Sequence, residues 1–97
     1  MDVTKYRFFQ KLQSLSFVEK IWLFGSRARG DNQERADIDI AILCPNATAA
    51  EWSSLLDVIE EADTLLKIDC LRFDELDDSS DVKKSILSQG IKIYERN

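Results

Sequence analysis

Residues 24–40 read FGSRARGDNQERADIDI, and the organisation of the chain follows from them. The stretch opens where the apolar run Ile21 to Phe24 meets Gly25, and it closes inside a second apolar run, DIDIAIL, from Asp37 to Leu43. In that run Ile38, Ile40 and Ile42 alternate with Asp37, Asp39 and Ala41, the period-two pattern of a strand with one apolar face. Residues two apart on a strand lie roughly 6.6 Å apart and point the same way, so Asp37 and Asp39 aim their carboxylates at one region of space. Like charges gathered there are costly unless a cation joins them or one holds a proton. A hard divalent cation is the simpler answer: Mg²⁺ takes one or two carboxylates and leaves its other positions to water and substrate phosphates.

Gly25-Ser26 supplies the complementary half. A strand ends there, and the spacing predicts a short helical turn with Ser26 at its N-cap. Converging backbone N–H groups at such a start favour an anion, the glycine allows close approach, and the serine hydroxyl can donate to a phosphate. Arg27 and Arg29 can add positive charge, while Arg27, Arg29 and Arg35 each read equally well as solvated surface charge balancing Asp31 and Glu34. A further acid, Asp69, interrupts the β-preferring run LKIDCLRF, Leu66 to Phe73, between Ile68 and Cys70. If that strand lies beside the first and turns Asp69 to the same side, three carboxylates can hold two ions roughly 3.5–4 Å apart, the spacing of in-line phosphoryl displacement. Asp63 and Asp74 are the nearby alternatives for the third acid.

The remainder of the chain reads as a scaffold for this site. Its 97 residues are enough for one modest core, which predicts a single domain over 1–97. Residues 4 to 15 place Tyr6, Phe9 and Leu12 at near-helical spacing, with Phe8 and Leu15 widening the stripe. Thr48 with Glu51 forms a capping box ahead of Trp52, Leu55, Leu56, Ile59 and Ala62 at helical intervals. Asp81 to Gln89 reads as a short helix closed by Gly90, and IKIYE from Ile91 as a last strand. The order helix, strand, strand, helix, strand, helix, strand predicts an α/β (α+β) fold with a mixed sheet of about four strands, covered by helices on one side. Trp22 and Trp52 fall at core positions, while Tyr94 suits either core or surface.

Composition removes several function classes. A net charge of -5 from 13 basic and 18 acidic residues disfavours free binding to nucleic acid. Between Asp57 and Asp81 ten acidic residues face only two basic ones, Lys67 and Arg72; this is a solvated acidic face or a handle for a basic protein partner. The chain contains no histidine and only Cys44 and Cys70, both in apolar segments, so they read as core residues and a Cys/His zinc site is unavailable. The opening MDVTKYRFFQ has no apolar signal region and no long uncharged run follows, which predicts a cytoplasmic protein.

The run LFGSRARG…ADIDIAIL, with Gly-Ser, ten residues and Asp-x-Asp, strongly resembles the minimal nucleotidyltransferases of the DNA polymerase beta superfamily. The likeness extends over nearly the whole chain through its length and order of elements. It implies that Gly25 and Ser26 grip a nucleoside triphosphate, with Arg27 and Arg29 beside them, that Asp37 and Asp39 bind the metals, and that Asp69 is the third catalytic carboxylate. Ala36 stands where relatives often carry serine, which alters a local hydrogen bond but none of the ligands. The resemblance further implies two Mg²⁺ ions, ATP as substrate and a small all-helical HEPN-type ribonuclease as partner. The pair would then act as toxin and antitoxin, with AMP transferred to a hydroxyl, a tyrosine's for preference, of the toxin. Two other readings accompany it: a non-catalytic module that occludes its partner, and nucleotide transfer to a small molecule.

Overall fold

A computed structural model of the chain describes residues 3–25 and 38–96. Among these, four strands form one sheet: β1 (Lys20–Phe24), β2 (Ile38–Leu43), β3 (Ile68–Arg72) and β4 (Ile91–Glu95). The order across the sheet is β3-β2-β1-β4, with β1 antiparallel to both β2 and β4 and with β2 parallel to β3. A parallel pair needs a long crossover. Here it is the segment carrying helix α2 (Ala49–Glu60), while α1 (Arg7–Ser14) precedes β1 and α3 (Asp81–Gln89) joins β3 to β4. The expected mixed sheet of four strands packed against helices is thus present.

The alternation read from DIDIAIL divides the sheet into two faces. Ile38, Ile40 and Ile42 are fully buried with Ile21 against Phe8, Phe9 and Leu12 of α1 and Leu55 of α2. The opposite face carries Trp22 and Ala41, packed with Phe73 and with Ile86 of α3; the Trp22 and Phe73 rings stand 4.4 Å apart. Helices therefore cover both faces, where the element order predicted one. The reason lies in α3, whose apolar contact is only Ile86 among its buried residues. So sparse a stripe does not announce which face it will cover.

Local chemistry explains the ends of the elements. The capping box is formed as expected: the Glu51 amide donates to Thr48 Oγ1 at 3.1 Å and the Thr48 amide to Glu51 Oε1 at 2.9 Å. Helix α3 spans the predicted residues, and its closing Gly90 has extended backbone, φ -70° and ψ 154°. The glycine is required by space, because a Cβ there would strike the carbonyl of Ile86. The first helix is shorter than its apolar pattern, since Val3–Lys5 form a separate 3-10 turn.

The start of α1 has no cap of its own. Its Arg7 and Phe8 amides both donate at 3.1 Å to Asp63, which comes from the turn after α2. These bonds, the one from Arg7 first, hold the Asp63 carboxyl below its ordinary range. A depressed carboxyl contributes stability that is complete above its unfolded pKa and is lost as pH falls through the folded value. Asp63→Asn should therefore lower the Tm near neutral pH, and the gap to the parent should close as pH falls below about 4. Thermal melts from pH 7 to pH 2.5 measure it; a gap constant across that range would refute it.

Candidate functional site

The site lies where β1 ends and β2 and β3 begin. Phe24 pairs with Asp39 across the antiparallel ladder, and Asp39 pairs with Asp69 across the parallel one. Residues paired in register point to the same side, about 4.8 Å apart between strands. Asp39 and Asp69 thus project together from the face that also carries Trp22 and Ala41. Each is partly exposed, and the Asp69 side chain retains 45% of its accessibility. On the same face of β2, Ala41, two residues beyond Asp39, is fully buried. The carboxylates therefore occupy the open margin of a closed core.

Gly25 turns the chain directly over Asp39. Its φ is +76°, a region that side-chain-bearing residues rarely adopt. A Cβ at this position would collide with Oδ2 of Asp39 and stand 3.3 Å from its Cγ. Two independent demands, backbone angle and space, thus require glycine here. Of the sequence-predicted site residues, Gly25, Asp39 and Asp69 are brought together; Ser26, Arg27, Arg29 and Asp37 lie outside the described residues.

The two competitors for the third acid have structural tasks. Asp63 caps α1 as described. Asp74 accepts from the Cys44 amide at 2.8 Å and from Arg72 Nε at 2.9 Å, while Arg72 Nη2 donates to the carbonyls of Cys44 and Ala47, each at 3.0 Å. The guanidinium also lies 5.7 Å from the Trp52 ring. This cluster ties the exit of β2 to the start of α2 and engages both carboxylate oxygens of Asp74. Asp69 has a different neighbour: Lys67 Nζ sits 3.6 Å from its Oδ1. Lys67 was legible in the sequence, since it precedes Asp69 by two and strand alternation sends both to one face.

The cysteines behave as core residues. Burial first, with Asp74 adding to it, raises the Cys44 thiol to about 11, and burial raises Cys70 to about 12. Both remain protonated near neutrality and are poor ligands and nucleophiles. Trp22 and Trp52 pack in the core as read, and the Tyr94 hydroxyl donates to the Gln13 carbonyl at 3.4 Å. The acidic stretch is partly spent internally, on α1, on Arg72 and on the Asp78–Lys83 pair at 2.6 Å. Among the described residues no group of three or more potential ligands is assembled into a metal site, and no helix is long and apolar enough to cross a membrane.

Comparison with known proteins identifies the fold and the family. Solved structures of toxin–antitoxin proteins share the fold. A toxin–antitoxin crystal structure with AMP-PNP superposes with TM-score 0.63 at 21% identity, covering 93% of this chain and 73% of that one. A toxin–antitoxin MntA–HpeT mutant in which two aspartates are changed to glutamate gives 0.58 at 19% identity, covering 91% and 70%. A second MntA–HpeT mutant, with a tyrosine changed to alanine, gives 0.62 at 23% identity and the same coverage. No curated protein matches the chain. The family model described as polymerase beta, nucleotidyltransferase matches residues 8–97. With that match over nearly its full length, and with paired strand carboxylates beneath a glycine turn, the chain belongs to the polymerase beta nucleotidyltransferase family.

Proposed function

We propose that this protein is the antitoxin of a toxin–antitoxin pair and transfers AMP from ATP to a hydroxyl, a tyrosine's for preference, on a HEPN-type ribonuclease partner. The observation that carries the chemistry is the in-register pairing of Asp39 with Asp69 under Gly25. The biological assignment draws on the fold shared with toxin–antitoxin proteins, one of them holding AMP-PNP. The whole chain, 1–97, is read as one transferase domain.

Two carboxylates on one face, a strand spacing apart and open to solvent, are a fitting donor set for a hard divalent cation. Asp37, Asp39 and Asp69 are the residues that would hold Mg²⁺, two ions in the full reading, which supply neutralisation of phosphate charge. Gly25 and Ser26, with Arg27 and Arg29, clasp the triphosphate. In the transfer, the acceptor oxygen forms a bond to the α-phosphorus, the bond from that phosphorus to the bridging oxygen breaks, and pyrophosphate leaves. The acceptor's proton passes to a carboxylate, the role this reading gives to Asp69. Such chemistry relies on position and charge more than on covalent steps, so a small scaffold suffices.

The test combines the protein with a HEPN-type helical protein as candidate partner, ATP and Mg²⁺. The expected result is an AMP adduct on the partner by mass spectrometry, absent with the double variant Asp37→Asn, Asp39→Asn. Neutralisation of the partner without an adduct, equal in parent and double variant, would instead establish an occluding module.

A further inference from the structure

Between the end of β1 and the first turns of α3 lies a cleft of about 300 Å³ lined by Phe24, Gly25, Asp81, Val82 and Ser85. The volume is at the lower end of that of small-ligand sites. Gly25 belongs both to this cleft and to the carboxylate site, because its Cα faces Asp39. A molecule clasped at Gly25 is therefore at the edge of the cleft. The walls are chemically mixed. Phe24 and Val82 offer apolar surface, while Asp81 and Ser85, four residues apart on α3, share one helical face. A carboxylate only accepts hydrogen bonds; a hydroxyl both donates and accepts. Asp81 is not used for capping, since Ser80 Oγ accepts from the Lys83 amide at 3.4 Å and is the N-cap.

We infer that this cleft receives the purine base of the nucleotide whose polyphosphate lies at Gly25. The inference rests on the transferase reading above and extends it to the walls that recognise the base. A purine has flat apolar faces for Phe24 and Val82 and an amine edge that donates to Asp81. Adenine carries the acceptor N1 beside that amine for the Ser85 hydroxyl, whereas guanine carries a second donor, N1–H, beside its amine and the acceptor O6 one position further along the edge. Phosphate and ribose offer no apolar face for Phe24.

Calorimetric titration of the full chain, in Mg²⁺, with inorganic tripolyphosphate, ATP, GTP and UTP tests this. Val82 is 42% exposed, so Val82→Trp fills the cleft without entering the core. The variant should weaken the preferred purine nucleotide by about tenfold, the scale of one lost stacking contact, and leave tripolyphosphate within about twofold. UTP should bind the parent about tenfold more weakly than that purine. Asp81→Asn identifies the purine: it should cost ATP, with one amine bond, about threefold, and GTP, with two donors, about thirtyfold. Purine binding unchanged by Val82→Trp, or a UTP affinity equal to the purine's, would overturn the base site while leaving the transferase intact. A parent that binds neither tripolyphosphate nor any of the three nucleotides in Mg²⁺ would instead remove the transferase reading, and this inference with it.

Discussion

Asp69→Asn is expected to reduce AMP transfer to the partner by roughly a thousandfold, about 4 kcal/mol of transition-state stabilisation, while leaving the Tm nearly unchanged. Asn keeps the shape of the side chain and removes the charge that a cation and a departing proton both need. The fold should tolerate the change, because among the described residues Asp69 pairs with Lys67, a side chain 71% exposed. Exposed pairs of this kind contribute at most about 1 kcal/mol. Asp39→Asn should be as damaging to turnover. The decisive control is Asp74→Asn, an acid five residues from Asp69 that bonds the Cys44 amide and Arg72. It should lower the Tm and spare turnover per folded molecule. The measurement is the adduct-forming rate beside a thermal melt for each variant. Equal rates in parent and Asp69→Asn would end the assignment of Asp69 as third carboxylate.

Phe9→Ala is expected to have the largest effect on stability. Phe9 is completely buried and belongs to the cluster that joins α1 to the isoleucine face of β2. Truncating a buried Phe costs about 3–5 kcal/mol through lost transfer energy and the cavity left behind. That is a large share of the roughly 5–15 kcal/mol available to a small domain. The Tm should fall by roughly 12 °C or more, at about 4–8 °C per kcal/mol for a chain of this size. Denaturant unfolding should show a lower midpoint with an unchanged slope. Leu87→Ala, on an exposed position of α3, should shift the Tm by little, and a comparable loss at both positions would mean that α1 is not part of the main core.

Much of this molecule was legible in its sequence because the deciding signals are local. The alternation of Ile38, Ile40 and Ile42 specified a strand and the side of it that is buried, and therefore the side to which Asp39 must point. Thr48 and Glu51 announced the start of α2 because both capping bonds span three residues. The Gly-Ser turn and its distance from Asp-x-Asp carried the family.

Other features depend on pairs distant along the chain, for which no local pattern exists. Asp63, Asp69 and Asp74 look alike in sequence, each an acid in a stretch rich in acids. Their separation came from contacts: Asp63 reaches α1 across 55 and 56 residues, Asp74 reaches Cys44 across 30, and Asp69 falls opposite Asp39 only through the parallel pairing of β2 with β3. The face chosen by α3 was likewise settled by packing, with Ile86 against Trp22, Ala41 and Phe73. By itself the sequence determined which elements form and which residue types could perform phosphoryl chemistry, because backbone preference and side-chain alternation act over a few residues. Tertiary structure alone decided which carboxylate stands beside Asp39 and what lies next to Gly25, since strand order and helix docking bring together residues that the chain keeps far apart.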